Sequence, residues 1–306
     1  MKGIDNMSFC VKKLKKSYNK KVVLNDFDFK VETGKSVGLL GPNGAGKTTF
    51  IRCSTGLSKI TGGEITFNGL DIKTNFVEYI SNISVIFDKS HFYEDLSGRD
   101  NLKIVCNLKS CDVALIDKVS IEVGLEKRLD DRVRNYSYGM KKRLQVAASL
   151  LGSPKLIFLD ETFSGLDINA TTSFINMFDK IRKDNVSLVI STHNISVLDK
   201  LVDQVYIINN GRVVGFIEED NIHDKVIEIT CTQKELLKLI EHSKIQVELV
   251  KEEIDKIFLK VKDSVTMDLM HFIMNTNLKI NNVKTLKYLE FYYSELLGEY
   301  SNDQIN

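Results

Sequence analysis

A chain of 306 residues is long enough for about two domains, and its 43% apolar and 27% charged residues exclude a disordered, collagen-like or disulfide-scaffold protein. Lys plus Arg number 42 against 41 for Asp plus Glu, and a net charge of +1 supplies no overall field for gathering nucleic acid. The five cysteines (Cys10, Cys53, Cys106, Cys111, Cys231) are scattered, with no CxxC pair and no metal-like spacing to the five histidines, so neither a disulfide framework nor a zinc site is expected and the compartment is expected to be reducing. Met1 to Val11 lacks the continuous apolar core of a signal peptide, and no stretch approaches the ~20 apolar residues of a membrane span.

In chain order, short apolar runs rich in branched residues alternate with helical patterns up to about residue 215, which predicts an α/β domain with a largely parallel sheet. The buried strands are expected at Ser36–Leu40, Ile83–Phe87, Leu156–Asp160 and Ser187–Ser191. Between Phe92 and Pro154 the pattern turns helical, and Met140, Leu144, Ala147, Ala148 and Leu151 recur at helical spacing, so a helical subdomain is inserted at about 90–154. Val205–Ile208 and Arg212–Phe216, joined through Asn209-Asn210-Gly211, predict a hairpin that closes the first domain, 1–220. Glu218 to Asp224 is a charged break. Residues 225–306 then predict a small C-terminal α+β accessory domain, with a strand from Val226, strands at Val247–Val250 and Ile257–Val261, and helices near Gln233–Glu241, Thr266–Met274 and Leu286–Leu297.

Two motifs carry chemistry. Gly41-Pro42-Asn43-Gly44-Ala45-Gly46-Lys47-Thr48-Thr49 fits GxxxxGK[ST] between a predicted strand and a helical run, the context that motif requires. Its glycines let successive N–H groups converge on phosphate oxygens, the helix N-terminus adds its positive end, Lys47 supplies a point charge and the Thr48 hydroxyl can ligate Mg²⁺. Leu156-Ile-Phe-Leu-Asp160-Glu161 sets two carboxylates just past a buried strand, where ligands of parallel sheets bind: Asp160 to hold Mg²⁺ through water, Glu161 to polarise an attacking water.

With these motifs the chain resembles an ABC-type ATPase over about residues 7 to 216, a P-loop cassette with an inserted helical subdomain. Tyr136-Ser137-Tyr138-Gly139-Met140 stands where that family carries its LSGGQ signature, Ser164-Gly165-Leu166-Asp167 is similar to its D-loop, Ser191-Thr192-His193 to its switch histidine, and Tyr18 to the aromatic that stacks on adenine. The resemblance implies ATP and Mg²⁺ as cofactors, Glu161, His193 and Lys47 as catalytic residues, and a γ-phosphate bound by Ser137 and Gly139 of a second subunit, giving an ATP-dependent head-to-tail dimer. The lysines at 12, 13, 15, 16, 20 and 21 are expected on a solvated face.

Tyr138 and Met140 depart from the signature pattern. Thr162 replaces the proline that commonly follows the catalytic Glu, which is expected to loosen that turn. Asp88 replaces the usual Gln in Ile86-Phe87-Asp88 and is expected to reach Mg²⁺, directly or through water. With Leu96-Ser-Gly-Arg99-Asp-Asn-Leu102 and the closing run Leu289–Leu297, this acidic position resembles the ATPase subunits of bacitracin-resistance and lantibiotic self-protection exporters. The function implied is an ATPase, cytoplasmic and peripheral on the inner face of the membrane, powering export of a peptide or small antimicrobial through a separate permease. That permease would seat a short helix near Phe92, Tyr93 and Leu96. The competing reading is a soluble ABC ATPase acting on ribosomes or DNA, for which this chain shows neither a second cassette nor a long coiled coil.

Overall fold

The computed structural model describes residues 8–89, 91–231, 245–253, 256–275 and 280–298; the helix expected near Gln233–Glu241 lies outside them. The chain divides into two compact units, Met1–Phe216 and Ile217–Asn306.

Two sheets build the first unit. Strands β1 (Ser8–Tyr18), β2 (Lys21–Glu32), β4 (Gly62–Phe67) and β5 (Leu70–Asp71) form an antiparallel sheet in the order β2-β1-β4-β5. The second sheet holds β3 (Ser36–Leu40), β6 (Ile83–Ile86), β7 (Leu156–Asp160), β8 (Ser187–Thr192), β9 (Gln204–Asn209) and β10 (Arg212–Ile217) in the order β10-β9-β3-β8-β7-β6. Its β9-β3-β8-β7-β6 run is parallel throughout. Strands β3, β7 and β8 are buried at every position, as expected where helices cover both faces. Asn210 and Gly211 both have positive φ (48° and 72°), which is what a two-residue hairpin turn of the observed hand requires between β9 and β10.

The largely parallel sheet is as expected, and the antiparallel sheet is an addition that the sequence did not announce. Its strand β1 carries register shifts between Val11 and Leu14 and again before Lys16, with Lys13 at φ 47°, and these bulges break the alternation that would have marked a strand. They also turn Lys16 inward: it is 7% exposed, donates to Lys59 O at 2.8 Å and stands 4.3 Å from the Tyr18 ring centroid, so it leaves the solvated lysine face.

Helices α1 (Lys47–Ser54) and α2 (Phe76–Ser81) precede a helical segment of α3 (Gly98–Lys109), α4 (Leu115–Glu122) and α5 (Tyr138–Leu150); α6 (Ile168–Lys183) and α7 (Ile195–Leu201) return to the sheet. Phe50 of α1 is fully buried among Phe9, Phe27 and Phe29. Burial of a side chain this size contributes about 1.5–3 kcal/mol, and it fixes the helix that follows the glycine-rich loop. Arg99 ties α3 to Asp117 of α4 and to Asp130, each at 2.7 Å. Cys106 and Cys111 pair as a disulfide at the end of α3, Cα atoms 5.1 Å apart, against the expectation from spacing.

The second unit is an antiparallel sheet in the order β12 (Glu248–Glu252), β13 (Lys256–Val261), β11 (Lys225–Cys231), β14 (Ile280–Lys287). Alternation along β11 feeds both faces. Ile227 and Ile229 pack with Leu269 and Ile273 of α9 (Thr266–Met274), and Val226 packs with Phe258 and with Phe291 of α10 (Tyr288–Leu297). Helix α8 (Glu219–Ile222) occupies the charged break. Each unit has its own apolar core. A chain ending at Ile217 should therefore stay folded and keep nucleotide binding within about threefold, ~0.7 kcal/mol. Aggregation of that chain, or lost binding by titration, would show that the units share a core.

Candidate nucleotide site

Strand β3 delivers the glycine-rich loop to the carboxyl edge of the parallel sheet. Gly44 and Gly46 take φ of +83° and +113°, conformations closed to most side chains, and a Cβ on Gly41 would stand 2.4 Å from Ile208 O. Gly211 N donates to Ala45 O at 2.9 Å, so the β9–β10 turn braces the loop. Helix α1 begins at Lys47 with no side-chain cap, which leaves first-turn N–H groups directed at whatever sits before them.

The loop walls a cleft of about 390 Å³ with Tyr18, Val23, Pro42, Asn43, Thr48, Thr49 and Glu161. Lys47 is 6% exposed, and its ammonium donates to Gly41 O at 2.6 Å and Pro42 O at 3.2 Å while standing 3.5 Å from Glu161 Oε1. A buried cation held by two carbonyls of its own loop is poised to take an anion. Tyr18 is half-exposed at the rim, its hydroxyl 3.2 Å from Ser58 Oγ.

Glu161 follows β7 with φ 48°, a left-handed conformation that costs a residue with a side chain on the order of 1–3 kcal/mol. The backbone is held there by Glu161 N donating to Ser191 O at 3.0 Å. One carboxylate oxygen, Oε2, lies 3.0 Å from His193 Nδ1; the other, Oε1, is buried with no hydrogen-bond partner. Asp160, 5% exposed, accepts from Ser191 Oγ at 2.7 Å. Thr48 is exposed in the cleft. An open hydroxyl and a fixed carboxylate are oxygen donors of the kind Mg²⁺ takes, and a Glu161 oxygen with no hydrogen bond of its own suits a polarised water.

Glu161, His193 and Lys47 thus come together, with Thr48 and Tyr18 around the same cleft. Ser137 and Gly139 do not line it. Ser137 caps α5, accepting from Met140 N at 3.3 Å, and a Cβ on Gly139 would meet nothing within 4 Å, so that helix end is open to an outside group. Asp88 also lies apart. It lines a separate cleft with Tyr138, Lys141 and Lys142, and its Oδ1 is 3.2 Å from Lys142 Nζ. Thr162, fully buried, donates to Ile86 O at 3.3 Å, so this position fastens the turn rather than loosening it. Lys142 and Gln145 went unnoticed in the sequence. Their signal was a polar pair three residues apart beside the apolar stripe of α5.

Residues 24–164 match the ABC transporter family. The chain is 34% identical over 205 residues to the lantibiotic transport ATP-binding protein SrtF of Streptococcus pyogenes, covering 67% of this chain and 88% of that protein. It is 36% identical over 213 residues to the bacitracin transport ATP-binding protein BcrA of Bacillus licheniformis, 68% and 69% of the two chains. An uncharacterized ABC transporter ATP-binding protein of Bacillus subtilis (strain 168), YhcH, is 28% identical over 303 residues, 94% and 95% of the two chains. A solved ATP-binding subunit of an ABC transporter superposes with a TM-score of 0.64 at 29% identity over 70% of this chain and 91% of that one.

Proposed function

The chain belongs to the ABC transporter family as an ATP-binding, ATP-hydrolysing subunit, and on that premise we propose that it powers export of a peptide antimicrobial through a separate membrane permease. The observation that carries the catalytic part is the joining of Lys47, Glu161 and His193 beside one glycine-rich loop. The N–H groups of 44–49 and Lys47 bind the phosphates, trading loop carbonyls for phosphate oxygens. Thr48 and, through water, Asp160 would hold Mg²⁺, which would supply charge neutralisation at the phosphates. Glu161 accepts the proton of the attacking water through Oε1, which has no hydrogen bond of its own, His193 holds Glu161 through Oε2, and Tyr18 stacks on the adenine.

Ser137 and Gly139 complete the site of a second subunit. Their helix end is open, and neither residue lines this chain's own cleft. Ser137→Arg should therefore abolish an ATP-dependent dimer in sedimentation while leaving monomer ATP affinity within about twofold, ~0.4 kcal/mol. Loss of monomer affinity would contradict the separation of the two surfaces.

For the permease, a groove of about 380 Å³ is lined by Leu57, Ile80, Phe87, Phe92, Val105 and Gln145 among others, and Tyr93 and Leu96 lie exposed beyond it. This groove suits a short amphipathic helix. No described helix is long and apolar enough to cross a membrane. On this reading membrane passage belongs to the permease, with this subunit on its inner face. The substrate class follows the names of the lantibiotic and bacitracin transport subunits that the chain is similar to. The test is to express the full chain with the membrane protein encoded beside it in a susceptible strain. Resistance to bacitracin or a lantibiotic, lost with Glu161→Gln, supports the reading. Absence of a membrane partner with co-sedimentation on ribosomes would overturn it.

A further inference from the structure

Three successive carbonyls leave the end of β6, and each is taken by a side chain. Thr162 Oγ1 donates to Ile86 O at 3.3 Å, Gln145 Nε2 to Phe87 O at 3.1 Å, and Lys142 Nζ to Asp88 O at 2.6 Å as well as to Asp88 Oδ1 at 3.2 Å. Lys142 and Gln145, three apart, share one face of α5, the helix whose first turn carries Ser137 and Gly139. At the same helix end the Tyr138 hydroxyl donates to Ser164 O at 3.0 Å, and a Cβ on Gly165 would stand 3.3 Å from that hydroxyl. The Tyr138 ring centroid is 5.4 Å from Lys142 Nζ. Asp88, Tyr138 and Thr162 are three of the residues at which the sequence departs from the ABC pattern; Asp88 and Tyr138 meet at Lys142, and Thr162 joins them through the backbone of Ile86–Asp88.

Lys142 is 1% exposed, whereas the Asp88 side chain is 45% exposed. A buried ammonium is costly unless paired, so this lysine needs a counter-charge more than the aspartate does. Asp88, whose Oδ1 and carbonyl both bind Lys142, supplies it. We propose that Lys142, paired with Asp88, is a positioning residue for ATP hydrolysis: it locks the signature end of α5 to the loop after β6 and, through Thr162, to the segment that carries Glu161. The proposal rests on the reading of Glu161 as the hydrolytic residue. It assigns the Asp88 carboxylate to Lys142 and leaves Mg²⁺ to Thr48 and Asp160. The loop and the signature helix then move as one body when a second subunit engages Ser137.

The test compares full-length wild type, Lys142→Met, Asp88→Asn, the double variant and Lys142→Arg, by ATP turnover and by Mg²⁺ titration of fluorescent-ATP binding. Lys142→Met and Asp88→Asn should each lower kcat about tenfold, ~1.4 kcal/mol, with KM for ATP within about twofold, ~0.4 kcal/mol. The double variant should be no slower than the worse single, the mark of a coupled pair. Lys142→Arg should retain turnover within about threefold, ~0.7 kcal/mol, and the Mg²⁺ midpoint for binding should be the same in all five proteins. Additive losses, wild-type turnover in Lys142→Met, or an Mg²⁺ midpoint raised in Asp88→Asn alone would overturn the pair, the last by making Asp88 a metal ligand. Should Asp88→Asn fail to fold around an uncompensated Lys142, a folded double variant supports the pair and an unfolded one overturns it. Normal turnover in Glu161→Gln would instead sink the underlying reading and leave this geometry untouched.

Discussion

Glu161→Gln should slow ATP turnover by at least about a hundredfold while keeping ATP binding, because a positioned general base contributes roughly 10²–10⁴ in rate and an amide cannot accept the proton. The substitution conserves shape. The contact with His193, 3.0 Å from Oε2, can survive as a neutral hydrogen bond, and the strained backbone at φ 48° remains held by Ser191 O. What disappears is the charge at the buried Oε1, 3.5 Å from Lys47, where a water must be deprotonated. ATP should then accumulate uncleaved and trap the dimer, visible as an ATP-dependent shift in size-exclusion chromatography. Turnover within about threefold of wild type, ~0.7 kcal/mol of barrier, would remove Glu161 from the reaction.

Lys47→Ala should weaken ATP binding by about a hundredfold or more, ~2.7 kcal/mol. The ammonium is nearly buried and its contacts are the Gly41 and Pro42 carbonyls and Glu161, so among the described residues it is the one cation that the cleft lining brings to a bound phosphate. Charge-assisted hydrogen bonds of this kind contribute about 1.5–3 kcal/mol each. Truncation also strips a counter-charge from Glu161, so circular dichroism should accompany the titration to show that the fold is intact. Affinity within about threefold of wild type, ~0.7 kcal/mol, would contradict the assignment of the loop as the phosphate cradle.

What the sequence disclosed and what it hid have physical reasons. The parallel strands were legible because helices cover both their faces, which makes Leu156–Asp160 and Ser187–Thr192 unbroken apolar or small runs. The strands of the first unit's antiparallel sheet were not, since β1 is bulged and lysine-rich and buries only one residue in two or three. Strand β14 escaped for a related reason: its sequence INNVKTLK buries no position fully, and the helix expected from Leu286 begins only at Tyr288. That Lys47, Thr48 and Glu161 would gather at one cleft was readable because phosphate chemistry fixes both residue type and spacing, whereas His193 entered only through the family resemblance. The partner of Asp88 was not, because Lys142 lies 54 residues away and no local spacing announces a contact made by tertiary packing.

On the proposed function, each ATP is hydrolysed between the glycine-rich loop of one subunit and the signature end of α5 in another. Mixing Lys47→Ala with Ser137→Arg tests it most directly. The first variant has a defective cradle and an intact signature, and the second has the reverse. Neither should turn over ATP alone, whereas their mixed dimer holds one complete site and should regain turnover, up to about a quarter of wild type if the two variants pair at random and each site acts independently. Turnover in the mixture no greater than the sum of the separate proteins would contradict a site shared between two subunits.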